Sequence, residues 1–413
     1  MKALIIGRGG REHAIADALR KSVHHVDVTV APGNPGMAFD GIATRPVDMA
    51  DVGSIVEAAR KTKASFVVIG PEGPLAIGAA DALRKAGMKV VGPGAEGARL
   101  ESSKIYAKEV MGAAGVPTAA WQSVETAWDL RAAIDRFGPK TVLKADGLAQ
   151  GKGVFVAPSE KEAFEEGRRM LQRHGRLLAE RAHEGEEVSL ITLTDGLHVT
   201  VFPLAHDHKR RRTGDSGPNT GGMGVVAPVG GPKEAGDLAR VAIRPVLDLL
   251  ARRNLPYSGF LYAGIMITKD GPIVLEYNVR LGDPETEALL PVTDVDFADL
   301  MARAASGRVR DQVLGTAGAF ATAVVVVEEG YPAAPRSGEL VRLSRMPGAD
   351  ERLYWAGVSG HEEALTVSGG RVAVAVGIAD ERRRAQARAR DLAGAVRFSG
   401  SDARADIGWP SWP

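Results

Sequence analysis

The first hundred residues alternate short apolar runs with amphipathic stretches, and that alternation constrains the fold more than any other feature of the chain. The runs are 3–6, 26–30, 66–69 and 89–91, with helix-like segments near 12–21, 52–61 and 75–86 between them. Strands alternating with helices imply a parallel sheet with helices on both faces. Three of the four runs end directly in glycine, at Gly7, Gly70 and Gly92. That places glycines at the carboxyl edge of the sheet, where open α/β sheets bind ligands.

From about 103 to 315 the pattern changes. Apolar runs 141–145 and 154–157 flank a glycine-rich turn, 188–194 and 198–204 flank Asp195-Gly196, and 261–268 and 273–277 flank Asp270-Gly271. Asp-Gly between two apolar runs is a strong hairpin signal, so this region reads as antiparallel α+β. Residues 206–231 are polar, glycine-rich and without periodicity; a loop of that length inside a compact domain is functional or disordered. The last hundred residues open with a strand at 321–327. They pass through an expected hairpin at Gly369-Gly370 into an arginine-rich helix at 380–393 and end in an irregular tail at 409–413. The expectation is an α/β and α+β multidomain chain with units at 1–102, 103–315 and 316–413.

Composition narrows the chemistry. With 52 Lys+Arg against 51 Asp+Glu the formal charge is +1, which argues against a dedicated nucleic-acid binder. The chain has no cysteine, excluding disulfides, cysteine-ligated zinc, iron–sulfur clusters and a thiol nucleophile. Glycine is in excess, at 50 of 413 residues. The apolar run after Met1 is too short for a signal peptide, and no stretch approaches the roughly 20 apolar residues of a membrane span. The expected location is cytoplasmic.

Two segments are candidates for phosphate. Gly7-Arg8-Gly9-Gly10-Arg11-Glu12-His13 follows the first strand and opens a helix, but Glu12 replaces the third glycine of a dinucleotide fingerprint, and the second strand ends without an acid for a ribose. A helix N-terminus with free N–H groups still suits an anion such as a sugar phosphate; the alternative is a tight strand-to-helix turn. The second segment runs from Lys144 through Gly147, Gly151 and Lys152 to Gly153. Its glycine spacing is one residue short of a Walker loop, and Gly153 stands where a metal-binding hydroxyl would be. A glycine-rich turn between strands, carrying Lys144 and Lys152, can fold over a triphosphate; otherwise it is a bare hairpin with solvated lysines.

Glu276, Asn278 and Arg280 stand two residues apart at the end of an expected strand, so they project from one face. A carboxylate beside an amide oxygen suits magnesium or manganese when phosphates complete the shell, and Arg280 adds a planar fork for carboxylate or phosphate. A half-exposed strand edge is the plain alternative. Pro284 stops the strand, and Glu285 and Glu287 open a helix. In the loop from His206 to Gly224, the run 209–212 reads as a solvated basic surface, and His206 with His208 lacks an evident third zinc ligand.

Together these segments closely resemble the phosphoribosylamine–glycine ligase family of the ATP-grasp superfamily. The resemblance is carried in order by 7–13, 31–36, 70–75, 100–104, 144–154, 207–210, 217–224, 260–266 and 275–286. Asp-His-Lys-Arg followed by Gly-Pro-Asn-Thr-Gly-Gly-Met-Gly, and Asn-Val-Arg-Leu-Gly-Asp-Pro-Glu-Thr, look specific to this family. It implies an N-terminal substrate-binding domain, a central ATP-grasp domain with a lid at about 118–187, and a small C-terminal domain. It also implies a ligase of de novo purine synthesis that uses ATP as co-substrate, with Mg²⁺ or Mn²⁺, to join glycine to 5-phosphoribosylamine through a glycyl phosphate. The implied partners are these small molecules, with no nucleic acid or membrane, and the chain is expected to be a monomer. Another ATP-grasp carboxylate–amine ligase is the alternative.

By the same resemblance Glu276 and Asn278 hold the metal, and Lys104, Lys144, Gly147, Gly151, Lys152 and Gly153 bind ATP phosphates. Glu180 begins the adenine-binding hinge, and Glu187 is the ribose-binding acid. Asp207, Asn219, Thr220, Gly221, Gly222 and Arg280 face the acyl phosphate and glycine, with Arg280, Asp207 and Asn219 as the catalytic set. Gly9, Gly10 and Asn34 bind the phosphoribosyl group. Leu281, Gln150, Arg211, Arg212 and much of the C-terminal region depart from the family's pattern.

Overall fold

The computed structural model describes residues 1–148 and 153–408. Gly151 and Lys152 of the expected phosphate-covering turn, and the tail at 409–413, lie outside the described residues. The N-terminal runs form a five-stranded sheet in the order Ala43–Thr44, Asp27–Pro32, Lys2–Gly7, Phe66–Ile69, Val90–Val91, with every neighbouring pair parallel. The central strand is buried from Ala3 to Gly7, as a sheet covered on both faces requires. Ala3 and Ile5 pack into one core with Ile15 and Leu19 of the helix Gly10–Arg20. Leu4 and Ile6 pack into another with Ile55 and Ala59 of the helix Val52–Thr62. The helix expected at 75–86 is two, Glu72–Ala76 and Ala79–Lys85, because Gly78 between them has φ +83°, outside the right-handed helical region.

The central region contains two sheets. Trp121–Val124, Leu177–Arg181, Thr141–Ala145 and Val154–Val156 form a four-stranded sheet with its own core against the helices Ala127–Phe137 and Glu160–His174. Gly271–Asn278, Gly259–Thr268, Glu186–Thr194, Val199–Val201 and Gln312–Val313 form a five-stranded sheet. All three expected hairpins pair antiparallel, closing at Lys144↔Val154, Thr194↔Val199 and Thr268↔Gly271.

Two expectations need correction. The stretch 206–231 contains short strands, His206–Asp207, Arg210–Arg212, Ser216–Asn219 and Gly224–Ala227. The first and last of these join Phe320–Glu328, Arg371–Ala379 and Glu351–Trp355 in the C-terminal sheet. Gly224–Ala227 pairs on one side with His206–Asp207 and on the other with Phe320–Glu328, about a hundred residues away, so local composition carries little trace of this sheet. Nor is Gly369-Gly370 a hairpin. Ala364–Val367 pairs with Val358–His361 in a separate two-stranded sheet, while Arg371–Ala379 enters the larger one. The chain crosses between sheets where Gly357 donates to the Arg371 carbonyl at 2.8 Å and accepts from Ser368 at 2.8 Å. A Cβ on Gly357 would lie 2.6 Å from that carbonyl oxygen, so a side chain there would force the sheets apart.

His208 ties this arrangement together. Its N–H donates to the Gly224 carbonyl at 2.9 Å, and its Nε2 accepts from the Gly408 N–H at 3.1 Å. The ring meets that of His206 edge to face with centroids 4.9 Å apart, and His206 Nδ1 lies 2.7 Å from the Glu187 carbonyl. Burial, then the neighbouring His206 and Arg404, push His208 down to about 3. The fold therefore favours the neutral ring. Its contribution is complete above the unfolded value of 6.5 and declines as pH falls from there towards 3, by on the order of 4 kcal/mol across the window. Denaturant unfolding of the wild type and of His208→Gln between about pH 4 and pH 7 checks this: the wild type is expected to lose stability more steeply on acidification. Parallel pH dependences would contradict it.

Candidate active site

A cavity of about 890 Å³ lies where the three regions meet, and most of the expected residues line it. Glu276 and Asn278 reach it from the end of the strand Gly271–Asn278, opposite Gly264 and Tyr262 of the neighbouring strand. Arg280 follows two residues on and also lines it, as period-two alternation predicts. Burial opposes the Glu276 charge, but the cations of Lys209, Lys144, Lys104 and Arg280 outweigh it and hold the carboxyl below its ordinary range. A held carboxylate beside an amide oxygen fits a hard divalent cation whose remaining ligands are phosphate or water.

One wall is built on Glu180. Its carboxylate lies 2.9 Å from Lys144 Nζ on the adjacent strand and 2.6 Å from Lys108 Nζ on the helix Lys104–Ala114. Lys144 also donates to the Leu275 carbonyl at 3.2 Å, and Lys108 to Thr118 Oγ1 at 2.5 Å. All three charged side chains are buried. Desolvation pushes Lys108 down to about 8, whereas Lys144 is held above its ordinary value because Glu180 and Glu276 outweigh the same desolvation. Sequence reasoning missed Lys108. The signal was its spacing of four from Lys104, which sets both on one helix face. Lys104, lowered by burial, donates to the Gly147 carbonyl at 2.9 Å. Asp146 fixes the start of the same turn, accepting from Ser103 Oγ at 3.1 Å and pairing with Arg176 at 2.9 Å. Gly147 and Gly153 line the cavity.

The segment from Asp207 to Gly222 forms a second wall. Lys209 is no solvated cation. Burial opposes its charge, but Glu187, with which it pairs, together with Tyr262, Glu276 and Asp207 outweighs that and raises it well above its ordinary value. Arg211 is buried and bound to Asp402 at 2.8 Å and to the Tyr331 carbonyl at 2.8 Å. Asp207 Oδ1 has no hydrogen-bond partner among the described residues. Burial, then the Glu285 carboxylate, push its carboxyl well above the ordinary range. Asn219, Thr220 and Gly221 line the cavity; Gly222 stands behind them, where a Cβ would meet Pro284 at 2.5 Å and Asp207 at 2.8 Å.

Arg280 is bracketed by acids the sequence did not single out. Its Nη2 lies 2.9 Å from Glu101 and its Nε 3.5 Å from Glu72, while Nη2 also donates to Asn278 Oδ1 at 3.3 Å. Glu101 accepts the Val279 N–H at 2.8 Å as well, so the two acids hold both the guanidinium and the backbone that carries it.

The N-terminal turn is braced from within by Glu12. Glu12 reaches back from the first turn of the helix to accept from the N–H groups of Arg8 at 3.1 Å and Gly9 at 2.7 Å, just before the helix begins, and pairs with Arg11 at 2.6 Å. Its side chain passes between Gly7 and Gly70, where an added Cβ would lie 2.4 Å and 2.1 Å from it. Gly9 lines the cavity, but Gly10 and Asn34 do not. Gly10 abuts Glu287, and Asn34 is buried, donating to the carbonyls of Arg8 at 2.8 Å and Trp355 at 3.1 Å while capping the next helix through Met37. Chemically, the cavity sets phosphate-seeking cations and a metal-type oxygen pair beside a glycine-rich loop and an oriented arginine. Such a site suits phosphoryl transfer to a small acid.

Comparison with known proteins agrees with this arrangement. Three family models match in succession: Phosphoribosylglycinamide synthetase, N domain, over residues 1–101; its ATP-grasp (A) domain over 102–286; and its C domain over 321–410. A Phosphoribosylamine--glycine ligase of Ralstonia nicotianae is 40% identical, covering 99% of each chain. The crystal structure of Phosphoribosylamine--glycine ligase from Thermotoga maritima is 34% identical with a TM-score of 0.86, over 98% of this chain and 100% of that one. A biotin carboxylase from Campylobacter jejuni, 17% identical over 97% of this chain and 92% of that one, shares the fold with a TM-score of 0.74. Over nearly its whole length, then, the chain belongs to the phosphoribosylglycinamide synthetase family, with its three-domain, ATP-grasp architecture.

Proposed function

We propose that this chain is an ATP-dependent ligase that joins glycine to 5-phosphoribosylamine, giving glycinamide ribonucleotide, ADP and phosphate in purine biosynthesis. A glycine carboxylate oxygen attacks the γ-phosphorus of ATP, and ADP leaves. The amine nitrogen then attacks the acyl carbon, loses a proton, and phosphate departs with the oxygen that came from glycine. No protein nucleophile is needed, so catalysis is positioning and neutralisation of phosphate charge. The observation that carries this reading is one cavity in which Lys104, Lys144, Glu276 and Asn278 stand beside Asn219, Thr220, Gly221 and Arg280.

On this reading Lys104 and Lys144 bind the ATP phosphates, with Gly147 and Gly153 at the ends of the covering turn, and Glu180 orients Lys144. Glu187 orients Lys209 and faces the nucleotide. Asp207, Asn219, Thr220 and Arg280 hold glycine and its phosphorylated form. Gly9 borders the phosphoribosyl end; Gly10 and Asn34 support it from behind. Glu276 and Asn278 are the protein ligands for Mg²⁺ or Mn²⁺, which when bound neutralises phosphate oxygens. The same reading keeps a monomer in the cytoplasm. Among the described residues no helix is long and apolar enough to cross a membrane.

Phosphate release from ATP is expected to be complete only with glycine and phosphoribosylamine together. Full turnover with another acid or amine, and none with this pair, would sink the substrate assignment. Glu276→Gln is expected to lower kcat at least about a hundredfold, with circular dichroism and thermal unfolding near wild type. Near-normal turnover in that variant would remove Glu276 as a metal ligand.

A further inference from the structure

We propose that the C-terminal domain supplies two positioning residues, Tyr331 and Arg371, which set the substrate-facing residues 219–222 for the ligation; the proposal rests on the ligase reading above. Both polar groups of one peptide residue are held from that side. The Gly221 N–H donates to the Tyr331 hydroxyl at 3.0 Å, and the Gly221 carbonyl accepts from Arg371 Nη1 at 2.8 Å. Arg371 also donates to the Asp283 carbonyl at 2.9 Å and pairs with the Asp283 carboxylate at 3.1 Å. It thereby spans from the glycine-rich segment to the turn just before Glu285. From the other side the segment is tied by the Lys209 carbonyl, which accepts from both the N–H and the hydroxyl of Thr220 at 2.8 Å. Two consecutive glycines have many accessible backbone conformations, so order at Gly221-Gly222 must be imposed by partners.

Tyr331 is itself built in. Its N–H donates to the Glu328 carbonyl at 2.9 Å, and its carbonyl accepts from Arg211 Nε at 2.8 Å, with Arg211 held by Asp402. Its ring lies over Gly370, where an added Cβ would be 2.2 Å from a ring carbon. The Gly369-Gly370 pair thus makes room for Tyr331, and Arg211 anchors its backbone. Tyr331, Gly370, Arg371 and Gly221 all line the cavity. A segment displaced by about 1 Å misorients a reacting group enough to cost on the order of a hundredfold in rate.

The test uses the full chain carrying Tyr331→Phe, Arg371→Lys, Arg371→Gln or Gly370→Ala. Tyr331→Phe and Gly370→Ala are expected to raise the glycine KM about tenfold, the worth of one hydrogen bond, and to leave the ATP KM unchanged. Arg371→Gln is expected to do more, Arg371→Lys to recover part of the loss, and the Tyr331→Phe/Arg371→Gln double variant to show less than the product of the two effects. Amide hydrogen exchange at Gly221 should quicken in each variant while the strand Gly271–Asn278 exchanges as in the wild type. Unchanged exchange at Gly221, or glycine and ATP KM values that rise together, would overturn the proposal. An inactive wild type with this substrate pair counts instead against the ligase reading, and the exchange result then decides the positioning role.

Discussion

Glu180 holds Lys108 and Lys144 at 2.6 and 2.9 Å in a wall almost closed to water. Two ammonium groups placed there without a carboxylate between them would repel each other with little solvent screening, and leaving such a charge unpaired costs about 3–5 kcal/mol. The three residues come from the helix Lys104–Ala114 and two strands of the four-stranded sheet, and Lys144 continues to Leu275 beside Glu276. One electrostatic requirement therefore joins the helix, the four-stranded sheet and the five-stranded sheet around one end of the cavity. Cations held this way do not have to be reoriented when phosphate charge develops, which is how a fixed site lowers a barrier.

The same principle orders the rest of the cavity. Arg280 is held between Glu101 and Glu72, Lys209 against Glu187, and Arg371 against Asp283. Glu12 is the clearest case. In the sequence it only spoils a dinucleotide fingerprint; in the fold its carboxylate takes the N–H groups of Arg8 and Gly9 in the turn before the helix and requires the glycines at both strand ends beside it. Gly7 and Gly70 are thus explained by an internal acid as well as by their place at the sheet edge.

What was legible in the sequence was what is written locally. Continuous apolar runs ending in glycine gave the parallel sheet, Asp-Gly turns gave the hairpins, and the alternation of Glu276, Asn278 and Arg280 put all three on one cavity. Residues whose surroundings come from distant chain were illegible. Within the run at 209–212, Arg212 is exposed as it reads, but Lys209 and Arg211 read as solvated until Glu187 and Asp402 are brought to them. Gly369-Gly370 reads as a turn until Tyr331 is seen lying against it, and nothing near Asn34 in the sequence foretells the amide it gives to the Trp355 carbonyl.

The central claim is that glycine is activated through its own carboxylate in this cavity. Turnover with glycine carrying heavy oxygen in its carboxylate tests it most directly, with the released phosphate analysed by mass spectrometry. The account predicts one heavy oxygen in each phosphate formed, because the bridging oxygen of the glycyl phosphate leaves with phosphorus. Phosphate free of the label during full amide formation would contradict it.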